Sequence, residues 1–358
     1  MTTTHPLPEF AHHRLRADLD GRLLLRGDPG YDEARLPWNR SVHQEPAAVV
    51  EAVSVADVQA VVRHARAANL RVAPQGTGHG AEALGALSRA ILLKTAALDA
   101  IEIDPDARTA RVGAGVSAGA VAAAAGEHAL APALGLAPSV GVAGLSLGGG
   151  LGWLSRTHGL ASNNVEAIDI VTAAGDALRV DAEHEPELFW ALRGGGGRFA
   201  IVTGLEIALH PVDEVSAGML AWPVEATGEV VEQVRRWTLD APEGLSAVVR
   251  VLSLPPIDAI PAAIRGRRIV AVIAAYFGPA ADGERLLAPL RGTRATLIDS
   301  FGPVAPADLV RVAGDPEEPG PARGDGLLLR ELTADAAAAV TAIVADDALE
   351  GLGVLELR

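Results

Sequence analysis

Apolar residues recur at helical spacing after Ser54: Val55, Val58, Val61, Val62 and Ala65 share one face, and Ser54 is a residue type that caps a helix start. A short apolar run, 47–54, precedes it. Residues 71–74 read as a strand entering the loop Gln75-Gly-Thr-Gly-His-Gly80, with further short strands at 90–95, 100–103 and 109–112 and an alanine-rich helix after Ser117. Residues 168–172 and 177–181 flank Ala173-Ala-Gly-Asp176 as a hairpin. Residues 185–192 suit a short helix, and 200–209 a strand that ends before Pro211. Beyond Pro211 glycine clusters thin out. Strands at 215–222, 246–252 and 267–276 then alternate with helices that begin near Glu225, Pro279 and Ala334, the first with an apolar stripe of Val230, Val231, Val234 and Trp237. This pattern predicts two domains, 1–210 and 211–358.

No formal charge occurs from Ala129 to Ser155, and a hydropathy window would mark a membrane span there. Pro132, Pro138 and seven glycines would break any spanning helix of about 20 residues. Two explanations remain open for this composition: backbone lying against a flat apolar ligand, or tightly packed buried turns.

Composition narrows the function. With 49% apolar and 21% charged residues the chain can bury a sizeable core. A formal net charge of −15 repels phosphate backbones and anionic lipid, so neither nucleic acid nor membrane is an expected partner. The absence of cysteine excludes disulfides, thiolate metal sites and cysteinyl cofactor links. Met1–Pro8 lacks the charged and apolar regions of a secretory signal, which makes a cytoplasmic location the expectation.

Three glycine clusters could present backbone N–H groups to an anion or let backbone approach a ring: 76–80, 148–152 and 194–197. None fits the G-x-G-x-x-G dinucleotide fingerprint, and no P-loop, H-E-x-x-H or G-x-S-x-G elbow at a strand-to-helix turn is read. His79 stands inside the first cluster. His12, His13, His128, His158, His184 and His210 have no partner at metal-ligand spacing and read as solvated or structural, so no metal is expected. Phe189 and Trp190 read as a core anchor, and the acidic run 181–187 as a solvated face.

Taken together, four segments in order resemble the FAD-binding oxidoreductases of the PCMH type, in the berberine bridge enzyme-like branch of the vanillyl-alcohol oxidase superfamily. They are Val72-Ala-Pro-Gln-Gly-Thr-Gly-His79, Val140-Gly-Val-Ala-Gly-Leu-Ser-Leu-Gly-Gly-Gly-Leu-Gly152, Gly159-Leu-Ala-Ser-Asn-Asn-Val165 and Leu188-Phe-Trp-Ala-Leu-Arg-Gly-Gly-Gly-Gly197. The resemblance implies an α+β fold. A two-part FAD-binding domain, a small α/β subdomain plus a mixed-sheet subdomain, would precede an antiparallel-sheet substrate domain with covering helices. It implies that Gln75, Gly76, Thr77, Gly78, His79 and Gly80 hold the FAD pyrophosphate, that Ser139, Val140, Gly141, Gly144, Gly149 and Gly150 line the flavin, and that Ile201 and Val202 meet the adenosine half. His79 occupies the position that many members link to the flavin 8α-methyl carbon. Ala137 stands where doubly linked members carry cysteine, so at most one link is expected, and Thr77 replaces a common glycine. A small Val140 favours oxidase over dehydrogenase behaviour.

The implied activity is hydride transfer from an alcohol, sugar or amine carbon of a small molecule to flavin N5, with oxygen as acceptor. The alternative is a flavoprotein that binds or sequesters a small molecule without turnover. The last residues, 351–358, read as a strand, whereas family members usually continue into a segment that returns to the flavin domain and often supplies the catalytic base. Either the chain is truncated or its chemistry differs. No catalytic base is assigned, and Tyr31 and Tyr276 receive no role.

Overall fold

The computed structural model describes residues 14–345 and 353–358. His12, His13 and the Met1–Pro8 segment lie outside them. Two compact units form. The first takes the described residues to Gly152, then Gly159–His210 and Asp315–Gly324; the second takes Trp153–His158, Pro211–Gly314 and the described residues from Asp325 onward.

In the first unit, strands β1 (Arg22–Leu25), β2 (Ala48–Glu51), β3 (Arg71–Gln75) and β4 (Ala90–Lys94) form a sheet in the order β1-β2-β4-β3. Strand β1 runs antiparallel to β2, and the other two pairings are parallel. Helix α1 (Tyr31–Ala34) lies on one face, with Tyr31 packed among Leu24, Val49 and Leu92. Helix α2 (Val55–Ala67) covers the other, and its Val58, Val61, Val62 and Ala65 pack on Leu23, Val50, Ile91 and Leu93. Ser54 caps α2 as its residue type suggests: its hydroxyl accepts from the Asp57 N–H at 3.2 Å.

Asp57 performs a second task. It is 1% exposed, and its carboxylate accepts from the backbone N–H groups of Asp20 (2.8 Å), Gly21 (3.2 Å) and Val53 (2.8 Å). One side chain thereby ties the approach to β1 and the end of β2 to the start of α2.

A six-stranded sheet completes this unit. It is built from β5 (Ile101–Asp104), β6 (Thr109–Gly113), β7 (Leu130–Pro132), β8 (Val165–Val171), β9 (Ala177–Asp181) and β10 (Ile201–Pro211), in the order β5-β6-β10-β8-β9 with β7 also on β10. Strand β10 includes Pro211 as its last residue, two places beyond the expected end at 209, where a missing N–H costs the ladder little. The uncharged stretch is not one helix. It divides into β7, turns and the six-residue helix α4 (Val142–Leu147), which follows helix α3 (Ala118–Gly126) in the chain. No helix of the described residues is long and apolar enough to cross a membrane.

The second unit contains one antiparallel sheet, β14-β11-β13-β12-β16, comprising β11 (Val215–Pro223), β12 (Leu245–Ser253), β13 (Arg268–Phe277), β14 (Ile298–Asp299) and β16 (Val354–Leu357), with the short β15 (Gly302–Pro303) also on β11. The four-residue helix α5 (Ser155–His158) belongs here as well, and helix α6 (Pro186–Gly195) to the first unit. One sheet face carries the core of Leu220, Trp222, Val249, Val251, Val270 and Val272, covered by α7 (Thr227–Trp237), α8 (Ala280–Arg291) and α9 (Ala334–Ala345). Val230, Val231 and Val234 of α7 are buried in it, as their spacing predicts.

Phe189 and Trp190 part company in α6. Phe189 is 3% exposed, and Trp190 is 72% exposed. Neighbouring helical side chains diverge by about 100°, so the face that buries Phe189 and Leu192 turns Trp190 to solvent.

Candidate functional site

Strand β3 is an end strand of a largely parallel sheet, and the loop Gly76–Gly80 leaves its C-terminal end, where open α/β sheets bind ligands. Residues 37–39 cross this loop. The Trp38 N–H donates to the Thr77 carbonyl at 3.1 Å and the Asn39 N–H to the Gly78 carbonyl at 3.4 Å. Because the peptide unit is planar and trans, carbonyls committed to that side send the N–H groups of Gly78 and His79 to the other. Among the described residues, the N–H groups of Thr77, Gly78, His79 and Gly80 have no main-chain acceptor. Four such donors in succession, with Gly78 at φ +92°, form a concavity suited to an anion.

His79 is half-buried. Its Nε2 lies 3.1 Å from Ser139 Oγ, and its ring stacks on Trp38 with centroids 4.0 Å apart and planes 20° apart. Burial lowers the imidazole pKa from its usual 6.5, while the contact with Ser139 and the charge of Asp315 oppose the shift. The neutral ring is therefore favoured.

The segment that carries Ser139 is laced to the start of α3. Ala118 and Gly119 N–H groups donate to the carbonyls of Val140 (2.8 Å) and Pro138 (2.9 Å), and the Val142 N–H donates to Val116 (2.9 Å). A Cβ built on Gly141 would stand 3.6 Å from Thr77 Cγ2. Ser139, Val140 and Gly141 are thus assembled with the first glycine loop. Gly149 and Gly150 are held differently, with their carbonyls accepting from Ser162 and Ala161 at 2.8 Å. A Cβ on Gly144 or Gly80 would meet nothing within 4 Å. Although Gly144-Leu-Ser-Leu-Gly148 has the spacing of a nucleophile elbow, Ser146 lies inside α4 and is 1% exposed, so no elbow exists.

A cavity of about 880 Å³ opens in the first unit, lined by residues 71–74, 171–174 and 197–201 among others. Ile201 lines it, and the adjacent Val202 is buried. Strand β3 lines this cavity with residues 71–74 and ends at Gln75, where the glycine loop begins. Gln75 is 5% exposed, yet among the described residues neither its amide nitrogen nor its amide oxygen has a partner, and the Ser146 hydroxyl is likewise unpartnered. Buried polar atoms of this kind cost free energy unless something satisfies them. Orphaned amide atoms, unpaired N–H donors and a cavity alongside β3 all fit an extended diphosphate-bearing cofactor.

Several neighbours of the site were invisible to sequence reasoning. Trp38 is anchored by its Nε1–H to the Glu317 carbonyl at 3.3 Å; Asn39 Nδ2 and Ser41 Oγ donate to the Ala322 carbonyl, and the Arg40 N–H donates to Gly320. Their partners lie some 280 residues away, so no local signal marks them.

Lys94, the chain's single lysine, ends β4 in register with Gln75 and donates to the Leu36 carbonyl at 3.2 Å. Burial pushes its ammonium pKa down to about 8, against an opposing pull from Glu51. Between pH 8 and about 10 the unfolded chain therefore keeps a proton that the folded protein has released, so stability rises with pH across that window. Lys94→Met is expected to abolish this rise and to stabilise the protein near pH 7 by about 1–3 kcal/mol. Urea midpoints at pH 7, 8, 9 and 10 check it; parallel slopes in the two proteins would exclude it.

Among the described residues no group of three histidine or acidic side chains could hold a metal ion. His210 Nε2 lies 2.7 Å from Asn164 Oδ1, and His184 contacts Asp181 at the exposed acidic run.

Residues 46–181 match the FAD binding domain family. The chain is 33% identical over 205 residues to (R)-6-hydroxynicotine oxidase of Paenarthrobacter nicotinovorans, covering 57% of this chain and 45% of that protein. It is 31% identical over 212 residues to the FAD-linked oxidoreductase aurO of Gibberella zeae, covering 59% and 42%. It spans less than half the length of these two relatives. Among solved structures, 6-hydroxy-D-nicotine oxidase of Arthrobacter nicotinovorans superposes with a TM-score of 0.74 at 28% identity, covering 83% of this chain and 64% of that one. Berberine bridge enzyme of Eschscholzia californica shares the fold, with a TM-score of 0.72 at 21% identity over 85% and 62%. Residues 46–181 thus form an FAD binding domain, and through its first part the chain is similar to proteins named as FAD-linked oxidoreductases and oxidases.

Proposed function

We propose that the protein is a flavin-dependent oxidase that takes hydride from an alcohol, sugar or amine carbon of a small molecule and passes the electrons to oxygen. The observation that carries this reading is the row of four unpaired N–H groups at Thr77–Gly80, with the orphaned Gln75 amide beside it. These residues would hold the FAD diphosphate through main-chain dipoles, which lets an acidic protein bind an anion without a cationic side chain. Ser139, Val140, Gly141, Gly144, Gly149 and Gly150 would line the ring, and Ile201 and Val202 would meet the adenosine half. FAD, when bound, supplies the hydride acceptor.

His79 would join the cofactor at its 8α carbon. Ser139 engages Nε2, and the suppressed imidazole basicity keeps a ring lone pair available at neutral pH. Support for oxidase chemistry comes from the named activity of the 33% identical (R)-6-hydroxynicotine oxidase and from the small side chain at Val140.

The purified protein should be yellow, and anaerobic addition of its substrate should bleach it, with colour returning on admission of air. A colourless protein that takes up no added FAD would overturn the cofactor reading. A yellow one that stays oxidised across alcohols, sugars and amines, yet binds one of them tightly, would overturn oxidase activity.

A further inference from the structure

We infer that Trp38 is the positioning residue of His79: its indole fixes the plane of the imidazole and shields it from water, and residue 317 holds the indole in place. The inference rests on the proposed role of His79 for its functional meaning but not for its geometry. A ring separation of 4.0 Å with a 20° tilt is face-to-face packing at van der Waals contact, which leaves the imidazole little freedom about its terminal torsion. Trp38 is held at two points: its backbone N–H on the Thr77 carbonyl and its indole Nε1–H on the Glu317 carbonyl. Its backbone therefore shapes the anion-binding loop, and its side chain orients the ring that this loop carries.

The charged group that acts on the imidazole is Asp315, two residues before Glu317, and the polar neighbour is Ser139. Asp315 favours the imidazolium. The indole face, by covering the ring, favours the neutral form, so removing it should raise the imidazole pKa toward 6.5.

Joining an imidazole N–H to a methyl C–H with loss of both hydrogens is a two-electron oxidation. His79 supplies the electron pair of the new N–C bond and gives up its ring proton. Dioxygen accepts the two electrons and both protons and leaves as hydrogen peroxide. The geometry that Trp38 enforces would aim the nitrogen for this bond.

Two variants of the full chain separate stacking from volume: Trp38→Phe keeps a stacked ring without Nε1–H, and Trp38→Leu keeps bulk without a ring. In histidine-selective NMR spectra, assigned with His79→Ala, the upfield ring-current shift of the His79 protons should persist in Trp38→Phe and vanish in Trp38→Leu. The His79 pKa should rise in Trp38→Leu alone. After acid precipitation, the FAD fraction remaining in the pellet should fall at least tenfold in Trp38→Leu and stay above half of the parent value in Trp38→Phe, with total FAD per chain unchanged. A parent protein whose colour all enters the supernatant would refute the covalent reading, and the NMR shifts would still decide the role of Trp38. A Trp38→Leu protein with parental His79 shifts and pKa would overturn the inference.

Discussion

Gly78→Ala is expected to strip the protein of bound FAD, lowering the stoichiometry after purification at least tenfold, and to destabilise the first unit by about 2–4 kcal/mol. Two effects combine. At φ +92° an L-residue is strained, and the new methyl would lie 2.8 Å from both Pro37 Cα and the Trp38 nitrogen. Those atoms are main chain, so relief requires residues 37 and 38 to move. Their movement breaks the bond from Trp38 N–H to the Thr77 carbonyl, the constraint that turns the loop's N–H groups outward. Gly80→Ala is the control: its φ is −90° and a methyl there meets nothing within 4 Å, so the fold should be unaffected. Full FAD content with an unchanged denaturation midpoint in Gly78→Ala would show that the loop tolerates displacement and does not grip through its backbone.

Asp57→Ala should cost about 3–5 kcal/mol, equivalent to roughly 10 °C in melting temperature, although Asp57 is remote from any chemistry. Three N–H groups, from Asp20, Gly21 and Val53, would lose the acceptor that the buried carboxylate gives them, together. Their deletion penalties are not additive, because the 20–21 turn can swing out to water while Val53, at the end of β2, cannot follow as easily. Asp57→Asn retains one acceptor oxygen and should recover part of the loss. Thermal unfolding followed by circular dichroism checks both; a shift below about 2 °C for the alanine variant would mean that water replaces the carboxylate at little cost.

What the chain discloses in advance follows from the range of the interactions involved. Helix α2 was legible because its apolar stripe and its Ser54 cap lie within a dozen residues of each other. The glycine loop after β3 was legible as a motif. Helix α4 was not, because Val142-Ala-Gly-Leu-Ser-Leu147 offers neither charge nor a polar face to set a period. Strand β1 is four residues long and gains its meaning from pairing with β2, some 25 residues on. Phe189 and Trp190 read together as a core anchor, but the helical turn that buries Phe189 exposes Trp190. Nothing local marks Asp57, because residues 20 and 21, which it binds, lie more than 35 positions earlier in the chain.

The excursion of residues 315–324 into the first unit bears on the order of synthesis. A nascent chain has all the strands of that unit on hand once residue 211 clears the ribosome, yet the carbonyls that receive Trp38, Asn39 and Arg40 emerge more than a hundred residues later. Translation must therefore pass through an interval in which the early portion is nearly built but residues 38–40, which cross its first glycine loop, are still unlatched.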